Sequence, residues 1–389
     1  MIWRSVCTLG VLGLLVSFAE GQVAAPRTHG EEAQAAGLSS HALHRLDAAL
    51  QAQVDEGEIA GAIGLISRHG TIGYWEAFGY RVTEEKLPMT KDTLFKIYSM
   101  TKPLVAVAAM SLWEEGRFKL DDSIGLHLDE WKTPKIRRAG KVVPANNAIS
   151  PRHLMTHSAG LSYDRQGMRL ARGMTLVEFS AALAQRPLQF EPGTDFVYGY
   201  GIDILGRYLE VLEGKSLDLI MRERVLDKMR MQDTEFWVRK AEDRQRQARV
   251  YRRSRSGELK PAMSRSQVMQ KPTRMMGGAG LVSTAGDYAR FCQMMLNQGQ
   301  LDGQRVLKPA TVKLMFQNHL EGIGKVYGLG GAVDGKGVYR WGGAAGTKFW
   351  IDSRRNAYSL FMIQVWDYRP SAHKIFRVYL HRAMAGDKG

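Results

Sequence analysis

From Ser99 to Glu115 the chain is apolar on nearly every side, with Leu104, Val105, Val107, Met110, Leu112 and Trp113 leaving no polar face. A helix of this kind must be enclosed, so the fold has to be built around it. Pro103 falls in its first turn, where a missing N–H costs little, and Gly116 stops it. The enclosing material is unevenly spread along the chain. Ala60–Ser67 and Thr71–Tyr80 are β-prone runs joined by Arg68-His69-Gly70, the layout of a hairpin. Tyr327–Val333, Val338–Gly343, Thr347–Asp352 and Tyr358–Val365 have the pattern of short strands. Leu43–Val54 and His373–Met384 have amphipathic helical spacing. The middle is mostly helical, at Met174–Gln185, Tyr200–Glu213, Leu217–Met229 and Ala285–Asn297, the last capped by Thr284. Arg252–Ser266 is polar and loop-like. Strands at both ends and helices between predict an α+β fold. In it, segments 55–98 and 305–388 build one antiparallel sheet, and a mostly helical lobe of about 100–300 is inserted between them.

The ends are different. Arg4 precedes the apolar run Val6–Phe18, and Ser17, Ala19 and Ala24 supply small residues, the layout of a secretory signal peptide over residues 1–24. Glu20 ends the run short of the ~20 apolar residues that a membrane span needs. A secreted or periplasmic protein is therefore expected, with a flexible lead-in over about 20–37 and a folded domain over 38–388. Cys7 lies in the leader, so Cys292 has no partner for an intrachain disulfide and fits best as a buried small hydrophobe. The net charge is +15, and Arg239–Lys260 alone holds nine Lys/Arg against Glu242, Asp243 and Glu258. Only Tyr251 is aromatic in that run, so the stacking residues of single-strand binders are missing and nucleic acid is not expected. Contact with an anionic surface is open to such a run, though a solvated face is the commoner outcome.

Chemistry enters with Ser99-Met100-Thr101-Lys102, an S-x-x-K at the head of the enclosed helix. Residues three apart face the same way, so Lys102 reaches the Ser99 hydroxyl. The helix dipole favours an oxyanion developing there. A serine hydroxyl needs a base. One candidate is Tyr198, in the glycine-broken turn Tyr198-Gly199-Tyr200-Gly201; acting as a phenolate would require its pKa to fall from about 10 toward 7. The other is Lys102 itself, desolvated. Third comes Trp341-Gly342-Gly343-Ala344, where small residues at a strand edge let a substrate carbonyl approach the backbone. The N–H groups of Ser99 and Ala344 are the expected oxyanion hole, and Tyr200 and Trp350, with Phe349, are expected beside the pocket.

Taken in order, these elements resemble the serine β-lactamase superfamily, specifically its class C-like esterases. Leu120-Asp121-Asp122, Arg152–Leu161 and Gly277–Thr284 are similar to further segments of that family, and the resemblance spans about residues 40–385. It implies a helical lobe and an α/β lobe with the active site between them, and a covalent acyl-enzyme on Ser99. Two departures bear on substrate. Trp341 stands where penicillin-recognising members carry a lysine that binds the substrate carboxylate, although Arg340 or Lys348 lies close enough in sequence to substitute in part. Tyr200 stands where they carry an asparagine. Both favour a carboxylesterase on small esters over a β-lactamase, a D-Ala-D-Ala carboxypeptidase or a transacylase, with a non-catalytic cell-wall binder more remote. His153 and His157 have i, i+4 spacing but no evident third ligand, so no metal is expected, nor any cofactor. The chain is expected to act as a monomer on a small-molecule ester or lactam.

Overall fold

The computed structural model describes residues 29–170, 173–263, 269–368 and 371–385. The leader expected over 1–24 lies outside them. Among the described residues no helix is long and apolar enough to cross a membrane.

The sheet has seven antiparallel strands. Two come from the start of the chain, β1 (Gly61–Arg68) and β2 (Thr71–Val82), with the short β3 (Leu87–Pro88). Four come from its end, β4 (Ala332–Val333), β5 (Val338–Gly342), β6 (Lys348–Asp352) and β7 (Ala357–Met362). Their order is β4-β5-β6-β7-β1-β2-β3, so the two ends of the chain meet in the middle, where Ile63 pairs with Met362. The β1–β2 turn uses His69 and Gly70 at φ 54° and 83°, matching a tight hairpin.

Side chains alternate across a strand, and β1 buries both faces. Ile63 and Leu65 enter one core with Leu360, Met362 and Phe349; Ala62 and Ile66 enter the other with Phe78 and Phe361. The helices Ser40–Asp55 and Ser371–Ala385 seal the second face through Leu43, Leu46, Leu50 and Phe376. On the first face lies Ala285–Leu296, whose Thr284 side chain accepts from Asp287 N as expected. Its Tyr288 and Phe291 rings lie 5.2 and 5.8 Å from Phe349. That helix belongs to the sheet, so the inserted lobe ends before residue 285 rather than near 300. Phe349 points into this core, fully buried, and does not border the pocket.

Three more expectations change. Residues 29–37 are not a loose lead-in: Glu31–Ala35 is a helix, Ala33, Ala36 and Leu38 are buried, and His29 Nε2 meets Asp47 at 2.7 Å. Residues 252–263 are not plain loop, and residues 264–266 lie outside the described residues. Tyr251–Arg253 and Leu259–Pro261 pair as a hairpin, anchored where the Tyr251 hydroxyl accepts from Thr83 N at 2.8 Å. The basic run beside them is largely neutralised within the protein. Arg239 meets Glu235, Arg246 meets Asp233 and Asp243, Arg249 meets Glu84, and Arg253 meets Glu58. Cys292 is fully buried, and burial pushes its thiol pKa well up.

Candidate active site

The enclosed helix runs Thr101–Glu114 after a 3-10 turn at Tyr98–Met100, and every residue from Thr101 to Leu112 is buried. Tyr98, just before the serine, sits at φ 45°. That region is strained for a bulky aromatic, and strain of this sort persists only where the surroundings enforce it. Here Trp366 Nε1 donates to the Tyr98 hydroxyl at 2.9 Å, and Leu281 O accepts from Ile97 N at 3.1 Å.

Three segments converge on Ser99. Lys102 Nζ lies 3.1 Å from Ser99 Oγ, one helical turn away. The Tyr198 hydroxyl donates to the same Oγ at 2.7 Å. The turn that carries Tyr198 rests on the Thr156–Tyr163 segment: Val197 N donates to His157 O at 3.0 Å, and a Cβ at Gly199 would stand 1.8 Å from Leu161 O. Only glycine fits there. The third segment is the end of β5. A Cβ on Gly343 would stand 2.4 Å from Ile97 O. The missing side chain lets this strand lie against the residues that precede the nucleophile. Gly343 N donates to Thr347 O at 2.7 Å and Gly346 N to Gly343 O at 3.0 Å, folding Ala344 into a turn. Ala344 and Ser99 line the same cleft, of about 570 Å³, with Tyr198, Trp341, Gly342, Gly343 and Trp350.

Burial sets the charges. Lys102 is fully buried, and desolvation pulls its pKa from 10.5 down to about 7, the attraction of Asp203 opposing this. Tyr198 moves the other way, pushed up to about 12 by burial while the Ser99 hydrogen bond pulls back. The phenolate considered for Tyr198 is thus disfavoured and the amine of Lys102 favoured, because loss of solvent penalises whichever form is charged. Lys102 Nζ lies 4.6 Å from the centre of the Tyr198 ring, and also reaches Tyr163 Oη at 3.3 Å and Gly278 O at 2.6 Å.

A family model described as Beta-lactamase matches residues 46–383. The chain belongs to the beta-lactamase family. It is 33% identical to Protein Rv1367c of Mycobacterium tuberculosis, over 82% of this chain and 88% of that protein. It is 28% identical to Esterase EstB of Burkholderia gladioli, over 79% of this chain and 86% of that one. Among solved structures, it is similar to EstCE1, described as a hydrolase with promiscuous acyltransferase activity. The TM-score is 0.77 at 27% identity, covering 89% of this chain and 98% of that one.

Within this beta-lactamase family chain, the segments that carried the resemblance have physical roles. Arg152 grips Asp121 with two hydrogen bonds, at 2.6 and 2.8 Å, tying Leu120-Asp121-Asp122 to the Arg152–Leu161 segment. His153 accepts from Ser150 N at 3.3 Å in a capping box, and His157 packs edge-on against Tyr198 at 4.6 Å. The two histidines are thus spent on a helix start and on a wall of the site. His157 is neutral, because burial and the nearby Lys102 push its pKa well down. Gly277–Thr284 pairs Val282 with Lys96 and turns the Gly278 carbonyl onto Lys102.

Tyr200, expected beside the pocket, turns away from it. It is 3% exposed, edge-on to Tyr163 at 4.4 Å and Phe179 at 5.1 Å, and does not border the cleft. As the residue entering the Gly201–Glu213 helix it faces the lobe core. Conversely, Tyr163 and Asp203 carry no signal of their own in the sequence, nor do Tyr368, His373, Lys374 and Arg377, which line the cleft, while Gly278 stands out only as part of the Gly277–Thr284 segment. The Trp341 indole N–H is buried beside Tyr198, whose hydroxyl it favours in the charged form. Since β5 must touch Ile97, Gly343→Ala is expected to displace the strand and cut ester turnover about 100-fold, the usual cost of a ~1 Å misplacement. Comparing kcat/KM of the two proteins checks this.

Proposed function

We propose that the protein is a serine hydrolase that cleaves small carboxylic esters through an acyl-enzyme on Ser99, with acyl transfer to an alcohol as a second outcome. The observation that carries it is the placement of Ser99 Oγ at 3.1 Å from a buried lysine amine and 2.7 Å from a phenol. As a free amine Lys102 takes the Ser99 proton while Oγ attacks the ester carbonyl. The N–H groups of Ser99 and Ala344 receive the oxyanion. Tyr198, protonated across the neutral range, gives its proton to the leaving alkoxide and regains one from the Lys102 ammonium. Water, or an alcohol, then releases the acyl group by the reverse path. The names of Esterase EstB and of EstCE1, a hydrolase with promiscuous acyltransferase activity, support this reading. A fluorophosphonate probe is expected to label the protein on Ser99, located by peptide mass spectrometry; labelling elsewhere would remove the assignment.

One observation favours a second reading, a carboxylate-bearing substrate such as a lactam or a D-alanyl peptide. Arg340, Lys348, Lys374 and Arg377 line the cleft, and none has an ion-pair partner among the described residues. Burial lowers the Lys348 pKa, and Arg377 and Arg340 add repulsion. Against it stands Trp341 in place of the family's lysine. Arg377→Glu is expected to lower kcat/KM about tenfold on nitrocefin, from one charged hydrogen bond lost, and to leave a neutral p-nitrophenyl ester within twofold. An equal loss on both substrates argues for a structural role.

The Arg4–Ala24 layout supports a secreted or periplasmic location. Amino-terminal sequencing of the mature protein tests it, a start at Met1 counting against it.

A further inference from the structure

Asp203 does not reach the cleft. It lies in the first turn of the Gly201–Glu213 helix and is 1% exposed. A buried carboxylate is costly unless something nearby makes use of it. Its Oδ1 accepts from Gly278 N at 3.1 Å, and the carbonyl of the same residue accepts from Lys102 Nζ at 2.6 Å. One glycine therefore has its N–H on the acid and its C=O on the base. No other residue fits: a Cβ there would stand 2.5 Å from Asp203 Oδ2 and 2.9 Å from the Tyr163 hydroxyl. Asp203 Oδ2 itself has no hydrogen-bond partner among the described residues. A half-satisfied buried carboxylate weakens a fold unless nearby charge offsets it, and Lys102 and Arg274 supply that charge here.

The groups facing Lys102 come from every side. Its own helix start offers Ser99. The Thr156–Tyr163 segment offers His157 and Tyr163, both neutral because burial lowers the first pKa and raises the second. The turn before the Gly201–Glu213 helix offers Tyr198, also neutral at ordinary pH. The Arg274–Gly280 segment offers the Gly278 carbonyl, and Arg274 bears on Asp203, its guanidinium 4.2 Å from the Phe179 ring centre. Asp203 is thus the source of negative charge that Lys102 meets among these groups.

We infer that Asp203 is a positioning residue for acyl transfer: through the Gly278 peptide it holds Lys102 against Ser99, and its charge steadies the buried ammonium formed when Lys102 takes the Ser99 proton. The inference rests on the function proposed above. In the step concerned the Ser99 O–H bond breaks, an Oγ–carbonyl carbon bond forms, and the proton moves to Lys102 Nζ. The pair of Lys102 and Asp203 then changes from one negative charge to none, while the oxyanion takes up the negative charge.

The test is the pH profile of kcat/KM, from pH 5 to 9 on p-nitrophenyl acetate, for the unaltered protein, Asp203→Asn and Asp203→Ala. Active sites are counted with a fluorophosphonate probe. Asparagine keeps the acceptor for Gly278 N and removes the charge. Its acid limb is expected to move down by about one pH unit, because Lys102 then loses its proton more readily, and its plateau to fall about tenfold, because the amine is a weaker base. Alanine is expected to lose the hydrogen bond as well and to fall a further tenfold. An Asp203→Asn limb superimposable on that of the unaltered protein overturns the inference, since a merely structural aspartate leaves the limb in place. If asparagine does not pack, Asp203→Ser, smaller and equally neutral, is read by the same criterion. Failure of the unaltered protein to label on Ser99 or to turn over any ester counts against the function itself. A labelled, active protein with an unmoved limb counts only against Asp203.

Discussion

Replacing Ser99 with alanine is expected to lower kcat on p-nitrophenyl esters by about 10⁴-fold or more and to abolish fluorophosphonate labelling. The size follows from how nucleophile, base and donor act as a unit. Once the attacking oxygen is gone, Lys102 and Tyr198 have nothing to activate, and only binding and the oxyanion donors remain to favour water attack. The fold should be untouched. Ser99 occupies a 3-10 turn that alanine tolerates, and the hydroxyl's two partners at 3.1 and 2.7 Å keep other contacts, Lys102 with Gly278 and Tyr198 with the rings of His157 and Trp341. Thermal melting of both proteins, beside the rate measurement, separates lost chemistry from lost structure. Retention of a tenth of the activity in a properly folded Ser99→Ala protein would disqualify Ser99.

Lys102→Met is expected to cost a comparable factor in kcat while making the protein harder to unfold at neutral pH. The folded-state pKa of Lys102 is about 7 against 10.5 for the free side chain. Between those values the unfolded chain holds a proton that the folded one has released, so stability rises with pH across the window, and the penalty is fully present below pH 7. A shift of that size corresponds to about 5 kcal/mol. Methionine fills the same space without a charge, but the attraction of Asp203 that opposes the desolvation penalty is lost with the amine, which returns part of the gain. A net stabilisation of about 1–4 kcal/mol is expected, as for other buried ions replaced by apolar groups. The same pKa governs catalysis. With the amine as base, kcat/KM should fall tenfold per pH unit below about 7. A flat profile from pH 5 to 8 would exclude Lys102 as the base.

Much of this was legible in the chain, where the signal is local. The enclosed helix, the hairpin through His69-Gly70 and the Thr284 cap each rest on neighbouring residues, and each stands where expected. Ser99 and Lys102 were paired by helical spacing alone. What sequence could not supply is convergence from afar. Tyr163, Asp203 and Gly278 come to Lys102 from three separate segments, and no periodicity announces that a glycine carbonyl will meet an ammonium. Tyr198 and Tyr200 look equivalent two residues apart, yet the turn between them sends one to the serine and the other into the lobe core. The identity of the base was equally hidden, because it depends on desolvation, a property of the assembled site. The basic run misled in the opposite sense. Asp233 lies just outside the run and Glu58 and Glu84 lie far away in sequence, so composition overstated its free charge.

The centre of the sheet, where Ile63 pairs with Met362, has a consequence for how the molecule is made. On a ribosome or a translocation channel the chain emerges amino end first. β1 can close its hairpin with β2 at once, yet its other edge stays unpaired until nearly all of the chain has appeared. The same holds for Ser99, whose neighbour across the cleft, Ala344, arrives late. The enzyme therefore cannot be assembled piecemeal: the nucleophile stays unfinished throughout synthesis, and the open edge of β1 is the place where a stalled or truncated chain would pair with the wrong neighbour. Loss of the last strand of the sheet and the closing helix would thus be felt first at the middle of the sheet.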